Sequence, residues 1–247
     1  MDRMLYLAMN GAKQTMIAQQ ANSHNLANAN TIGFRQDMAL FDSVPVEGPG
    51  HPSRTYALAR GPGVSLAQGP TNFTGRDLDV AISGDGYFAV QAPDGTEAYT
   101  RAGDLRVGPG GVLVNGKGYP ILGNGGPIAI ESAENINIGA DGTISIRPVG
   151  EGPDNILEVD RLKLVNPDPT TLSKRPDGLL GVAGGGVAEA DAAVTVLAGS
   201  REGSNVSAVD SLVTMISLSR TYELNVKLMK VAEDNDAAAA QLLRMNG

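Results

Sequence analysis

Glycine and proline crowd into one part of this chain, and that placement limits its fold more than any other feature. All 14 prolines lie at 45–176 and 29 of the 32 glycines at 48–203, leaving only Gly11, Gly33 and Gly247 outside. The two ends are free of helix breakers, while the middle is punctuated throughout. The ends therefore read as helix and the middle as strands and turns.

The C-terminal stretch 207–245 runs 39 residues without Gly or Pro. As a single helix it would span about 58 Å at about 1.5 Å per residue. Leu212, Met215, Ser219, Tyr222, Val226 and Met229 recur at alternating spacings of three and four, and Asp236, Ala240 and Leu243 continue the register. This pattern predicts a coiled-coil-like seam with polar interruptions. Ser207, three residues before Asp210, reads as the helix N-cap. At the other end Met1, Leu5, Ala8, Met9, Ala12 and Met16 form a stripe that Gln19, Ser23 and Leu26 continue. That helix turns polar along its length and enters NSHNLANANTIGF at 22–34, where Asn22, Asn25 and Asn28 recur every three residues. Asparagine is a mediocre helix former, so a row of it implies a demand for amides at those positions. Neither helix can bury its stripe alone. They pair with each other or with neighbouring copies, and the expectation is that they order on assembly. Ala and Met on both stripes suit close contact and repacking.

In the middle, DVAISGDGYFAVQAPDGTEAYTR places two strand-like runs around Pro93-Asp94-Gly95, a hairpin signature. GPGGVLVNGKGYPILG repeats the idea, as does INIGADGTISI about Asp141-Gly142, and LEVDRLKLV at 157–165 reads as one half-buried strand. The expected β domain is mainly antiparallel, with loose connectors at 45–63 and 166–178.

Composition narrows the function. The chain has no cysteine, which excludes disulfides, thiolate catalysis and Cys-ligated zinc. With 19 basic against 27 acidic residues among 247, it lacks the basic stripe of a nucleic-acid binder. No stretch approaches the roughly 20 apolar residues of a membrane span. The apolar run at 4–9 is shorter than the roughly 7–15 residues of a secretory h-region, so the chain is expected to stay inside the cell or to leave by a route that reads no cleaved signal.

Candidate chemistry is thin. GDGYFA at 84–89 fits the G-x-G-x-x-A variant of the dinucleotide fingerprint, but a strand and a turn follow it where a helix is needed. Asp77, Asp79 and Asp85 lack the oxygen ligand of a calcium loop at Ala81 and read as solvated carboxylates. His24 and His51 are the only histidines, too few for zinc. There is no G-x-S-x-G, and Arg220 and Glu223 read as a surface pair on the C-terminal helix. Neither an enzyme, a cofactor nor a metal is indicated.

Taken together, the two ends resemble the termini of the flagellar axial proteins of the rod and hook family. NLANANTIGF at 25–34 resembles the N-terminal signature, and GSREGSNVSAVDSLVTMISLSRTYELN at 199–225 resembles the C-terminal one, with its Gly-Ser-Asn-Val element and a helix carrying Arg-x-Tyr-Glu. The middle, including SGDGYFAVQAPDGTEAYTRAGDLRV, is similar to the family's β domain. The resemblance implies an α+β fold: long N- and C-terminal helices forming a coiled-coil-like bundle around a central, mainly antiparallel β domain. The expected divisions are 1–44 (axial helix and turn), 45–65 (connector), 66–199 (outer β domain) and 200–247 (axial helix).

The implied function is that of a structural subunit of the bacterial basal-body rod, by its opening and length the proximal rod. The distal rod and a homo-oligomeric binding module are the alternatives. It would polymerise with copies of itself and with other rod subunits, and would cross the periplasm after passing the flagellar export apparatus. The implied subunit interface comprises Leu5, Met9, Ala12, Met16, Asn22, Asn25, Leu26, Asn28, Thr31, Gly33 and Phe34 at one end. At the other it comprises Gly203, Ser204, Asn205, Val206, Leu212, Met215, Arg220, Tyr222, Glu223, Val226 and Met229. Within it, Asn25 and Asn28 would fix subunit register, because a buried amide must find a particular partner where an apolar seam could slide.

Overall fold

A computed structural model describes residues 3–45, 55–131, 133–148, 150 and 155–245. The chain divides into a helical unit (residues 1–28, 37–65 and 206–247) and a β unit (residues 29–36 and 66–205).

The helical unit holds α1 (Arg3–Ala27), β1 (Asp37–Pro45), β2 (Thr55–Val64) and α2 (Ala208–Met245). At the start of α2 the Ser207 hydroxyl accepts the Asp210 N–H at 3.3 Å, and the Asp210 carboxylate sits in the positive first turn. The strands β1 and β2 pair antiparallel from Asp37↔Val64 to Pro45↔Thr55, with a bulge at Leu40/Phe41. This ribbon replaces the turn and the loose connector at 45–63 expected from sequence, and β2 runs through Gly61, Pro62 and Gly63. In a two-stranded ribbon every strand is an edge, so such residues are tolerated. Residues 46–54 of that connector, with His51, lie outside the described residues.

The expected coiled-coil-like bundle is not what forms. Among the described residues there are two α-helices, and they pair with each other in one chain. The pair is antiparallel: Gly11 of α1 meets Asn225 of α2, and farther along α1 the Asn22 amide meets Ser211 near the start of α2. A Cβ on Gly11 would lie 2.8 Å from Asn225 Oδ1, so the approach is close. Small and polar residues fill the buried side, namely Ala8, Ala12, Thr15 and Asn22 on α1 with Ser211 and Ala232 on α2. Four members of the expected seam point elsewhere: Met9 is 52% exposed, Met16 57%, Leu212 50% and Val226 40%. On α1 the close approach at Gly11 is lined by small side chains and leaves Met9 and Met16 outside, while α2 turns Met215, Tyr222 and Met229 partly inward.

The β unit contains β3 (Thr71–Phe73), β4 (Val80–Ser83), β5 (Tyr87–Gln91), β6 (Glu97–Thr100), β7 (Arg106–Val107), β8 (Leu113–Val114) and β9 (Ala133–Ile138). It continues with β10 (Thr143–Pro148), β11 (Leu157–Arg161), β12 (Leu164–Val165), β13 (Leu172–Lys174), β14 (Leu180–Val182), β15 (Thr195–Ala198) and β16 (Ser200–Glu202). The largest sheet has the order β12-β5-β6-β14-β13, a second has β11-β10-β9, and the ladders are antiparallel. The hairpins read from sequence form as expected: Gln91 pairs with Glu97 across the Pro93-Asp94-Gly95 turn, and Ile138 pairs with Ile144 across Asp141-Gly142. Residues 157–165 are not one strand. The chain leaves β11 at Leu162, whose N–H bonds Gly142, and Lys163 N–H bonds Leu122, so β12 joins a different sheet. The core of this unit gathers Val80, Phe88, Val90, Leu105, Leu113, Ile121, Ile128 and Ile144, all essentially without exposed surface.

Candidate functional site

Two constellations absorb the residues singled out by sequence, one in each unit. In the helical unit the asparagine row is spent on backbone. Asn22 Nδ2 donates to Ser211 O at 2.7 Å and so pins α1 to α2. Asn25 forms a reciprocal pair with Asp37: its Nδ2 donates to Asp37 O at 2.8 Å, and its Oδ1 accepts Asp37 N–H at 2.7 Å. That geometry imitates a strand neighbour and starts β1 against α1. Asn28 Nδ2 donates to His24 O at 2.9 Å, closing the helix end, while His24 Nδ1 meets Asp37 Oδ2.

In α2, inward-turned positions repeat at helical spacing: Ser211, Met215, Leu218, Tyr222, Asn225, Met229 and Ala232 are buried or half-buried. Val209, Val213, Ile216, Leu224 and Val231 are exposed, and at 3.6 residues per turn they fall on the opposite side of the helix. The outer side of α2 therefore carries five exposed apolar side chains with Arg220 and Lys227 among them, and the pairing with α1 leaves that side uncovered. Arg220 and Glu223 both face outward and, among the described residues, make no ion pair with each other. Leu5, Leu26 and Thr31 are half-buried.

In the β unit the turn after the asparagines meets the Gly-Ser-Asn segment of the other signature. Glu202, 2% exposed, is the common partner. Its Oε1 accepts Arg35 Nη1 at 2.7 Å and the Gly69 N–H at 2.8 Å, its Oε2 accepts Arg101 Nη1 at 2.9 Å, and its backbone oxygen accepts the Gly33 N–H at 2.9 Å. Both arginines are 3% exposed. Burial lowers the Arg101 pKa and Glu202 beside it works against that shift; burial likewise raises the pKa of Tyr87, over whose ring Arg101 lies at 5.3 Å. Among the described residues, Arg35 Nε and Nη2 and Arg101 Nε find no partner.

Gly33 has φ +64°, and a Cβ there would lie 2.3 Å from Ala102 N, so the turn rests directly on the backbone. Phe34 is buried with Lys174 Nζ 4.1 Å from its ring centroid, and that ammonium also donates to Arg35 O. Asn205 closes the arrangement: Oδ1 accepts the Gln36 N–H at 2.7 Å and Nδ2 donates to Ala67 O at 2.9 Å. Gly203 N–H bonds Pro70 O, and Ser204 and Val206 are buried.

The sequence reading named Gly33, Phe34 and the residues 203–206 but missed Arg35, Gly69, Arg101 and Glu202. The available signal was a charge of each sign flanking the two motifs, Arg35 after one and Glu202 within the other. Asp79 also departs from expectation. It is buried, its Oδ1 ion-paired with Arg76 at 3.0 Å and its Oδ2 accepting the Thr74 hydroxyl at 2.7 Å, and so is no solvated carboxylate. Among the described residues no metal-binding cluster occurs and no helix is long and apolar enough to cross a membrane.

A helix near each end of the sequence, the two joined in an antiparallel pair, with a glycine-rich β unit between them in sequence, fits the class of flagellar axial subunits that the two end motifs resemble. Residues 81–146 match the flagellar hook protein FlgE/F/G D1 domain and residues 197–242 the flagellar basal body rod FlgEFG protein C-terminal family. The chain belongs to the flagellar basal-body rod protein family. It is 39% identical to the flagellar basal-body rod protein FlgF of Salmonella typhimurium and 40% identical to that of Escherichia coli, each match covering 100% of both chains. It is 31% identical to the flagellar basal-body rod protein FlgG of Bacillus subtilis over 94% of this chain and 96% of that protein.

Proposed function

We propose that the chain is a structural subunit of the flagellar proximal rod, built into the drive shaft through its terminal helices. The observation that carries this reading is the outer side of α2, with Val209, Val213, Ile216, Leu224 and Val231 exposed opposite the face that packs in the α1 pair. Exposed apolar side chains clustered on one side of a helix call for cover, and in a rod that cover comes from other rod subunits and from copies of this chain, with Arg220 and Lys227 available for polar contacts at the same surface. Contacts that repeat head to tail without closing generate a helical tube. Identity of 39–40% to the FlgF proteins of Salmonella typhimurium and Escherichia coli over the whole of both chains, against 31% to the Bacillus subtilis FlgG protein, favours the proximal over the distal position.

The subunit would sit in the basal body, in the part of the rod that crosses the periplasm, having passed the flagellar export apparatus unfolded. The role is mechanical rather than catalytic. Asn25 and Asn28 would act on subunit register through the chain's own structure, by fixing where β1 starts against α1.

The test is complementation of a strain lacking its copy of the gene. The wild-type chain restores swimming. A chain carrying Val213→Glu with Ile216→Glu does not, although the purified variant keeps its helical circular dichroism. Normal swimming by that variant would remove the outer face of α2 from the interface.

A further inference from the structure

We propose that Arg35, Glu202 and Arg101 form a latch, which holds residues 31–36 and 202–205 in place within the β unit and can open while the core of that unit stays folded. The first argument is connectivity. The chain passes between the two units after residues 28, 36, 65 and 205. Segments adjoining these passages converge on one carboxylate, because Glu202 binds Arg35 and Gly69 with Oε1, Arg101 with Oε2, and Gly33 with its backbone oxygen.

The second argument is that the main hydrophobic cluster does not include these segments, whose buried apolar anchor is the single side chain Phe34. The cluster's buried members run in sequence from Val80 to Val196, so none comes from residues 29–36 or 200–205. A region held by polar contacts, outside the apolar cluster, opens at lower free energy than the cluster itself. The third is electrostatic. Two buried cations share one buried anion, and such triads contribute little net stability while demanding exact geometry. Neutralising Glu202 leaves two buried cations without their anion, and removing Arg35 takes away the ion pair that ties 31–36 to Glu202; either loss is relieved most easily by letting these segments swing out. Arg35 and Glu202 sit on the segments at the edge of the unit, whereas Arg101 follows β6 in the largest sheet. The moving half of the latch is thus 31–36 with 202–205, and Arg101 is its fixed post.

The latch is a property of the single chain, so its failure would leave the rod reading untouched. The experiment is hydrogen–deuterium exchange with mass spectrometry on the full-length protein. Glu202→Gln and Arg35→Met are compared with wild type, and Arg201→Gln, a neighbouring exposed position, serves as control. Peptides covering 29–36 and 200–206 are expected to exchange at least tenfold faster in both latch variants. Peptides covering Val90 and Leu113 keep their wild-type protection, and the control changes nothing. Unchanged exchange at 29–36 and 200–206 in both variants would overturn the latch. So would equal acceleration everywhere or a failure to fold, since the triad would then belong to the global fold.

Discussion

The β unit and the helical unit solve the burial problem in opposite ways. In the β unit, large side chains such as Phe88, Tyr99, Leu105 and Leu113 lose all solvent contact inside the chain's own walls. In the helical unit the residues removed from water are small or polar, among them Ala8, Ala12, Asn22, Asn25 and Ser211. The large apolar ones, including Met9, Met16, Leu212, Ile216 and Leu224, stay exposed. The first unit buries most of its large apolar side chains in one internal cluster. The second holds together through backbone-directed amides and close helix approach, and keeps its apolar surface for something else. The exposed apolar area is thus concentrated where a polymer would use it.

The contrast predicts unequal responses to mutation. Phe88→Ala has the largest effect: it empties a fully buried site and should cost the β unit about 3–5 kcal/mol, read as a fall in the urea midpoint of the tyrosine near-UV signal. Gly33→Ala comes next. Its left-handed backbone costs roughly 1–2 kcal/mol for any L side chain, and the Cβ adds a collision with Ala102, so the total should exceed that range in the same titration. Asn22→Ala removes the amide that bonds Ser211 O and should cost about 1–3 kcal/mol, seen as earlier loss of helical ellipticity on heating. Ile216→Ser should fall within about 0.5 kcal/mol of wild type in the purified chain, because the side chain touches water there. If Ile216→Ser cost as much as Phe88→Ala, the comparison between the two units would collapse.

Much of this was legible in the sequence, and what was not has physical causes. The hairpins at Asp94-Gly95 and Asp141-Gly142 were readable because turn chemistry is local: Gly95 and Gly142 both take the positive φ that the turns require. The helical ends were readable from the absence of breakers. The seam was not, because periodicity identifies apolar stripes but not which stripe faces the partner. On α2 apolar residues lie on both sides, and on α1 the close approach marked by Gly11 at Asn225 favours small residues over Met9 and Met16. The ribbon β1–β2 was hidden by Gly and Pro that a two-stranded edge accepts. The triad was hidden because Arg35, Arg101 and Glu202 are far apart in sequence, and a buried ion group leaves no periodic trace.

The smallest effect expected is one of pH, and it belongs to the turns of the β unit. Asp94-Gly95-Thr96, Asp141-Gly142-Thr143 and Asp168-Pro169-Thr170 share one device, in which the carboxylate accepts both the N–H and the hydroxyl of the threonine two residues on. These bonds favour the charged form and lower the pKa of all three aspartates. Asp94 goes furthest, from 3.8 to about 2, driven first by the Thr96 hydroxyl, then by its N–H, and then by Arg175. A depressed carboxyl pKa stabilises the folded chain above the ordinary value of 3.8, and that contribution fades as pH falls from there through about 2. Thr96→Val removes the leading cause, and with it the hydroxyl that Arg175 Nη1 also donates to, while keeping the N–H and the bond from Arg175 Nη2 to Asp94. The Asp94 carboxyl should then titrate nearer 3.8 by carbon-detected NMR, with Asp141 and Asp168 unmoved. If Asp94 titrated as in wild type, Arg175 rather than the turn would be holding its charge, and the device would be an ion pair between loops instead of a property of the local sequence.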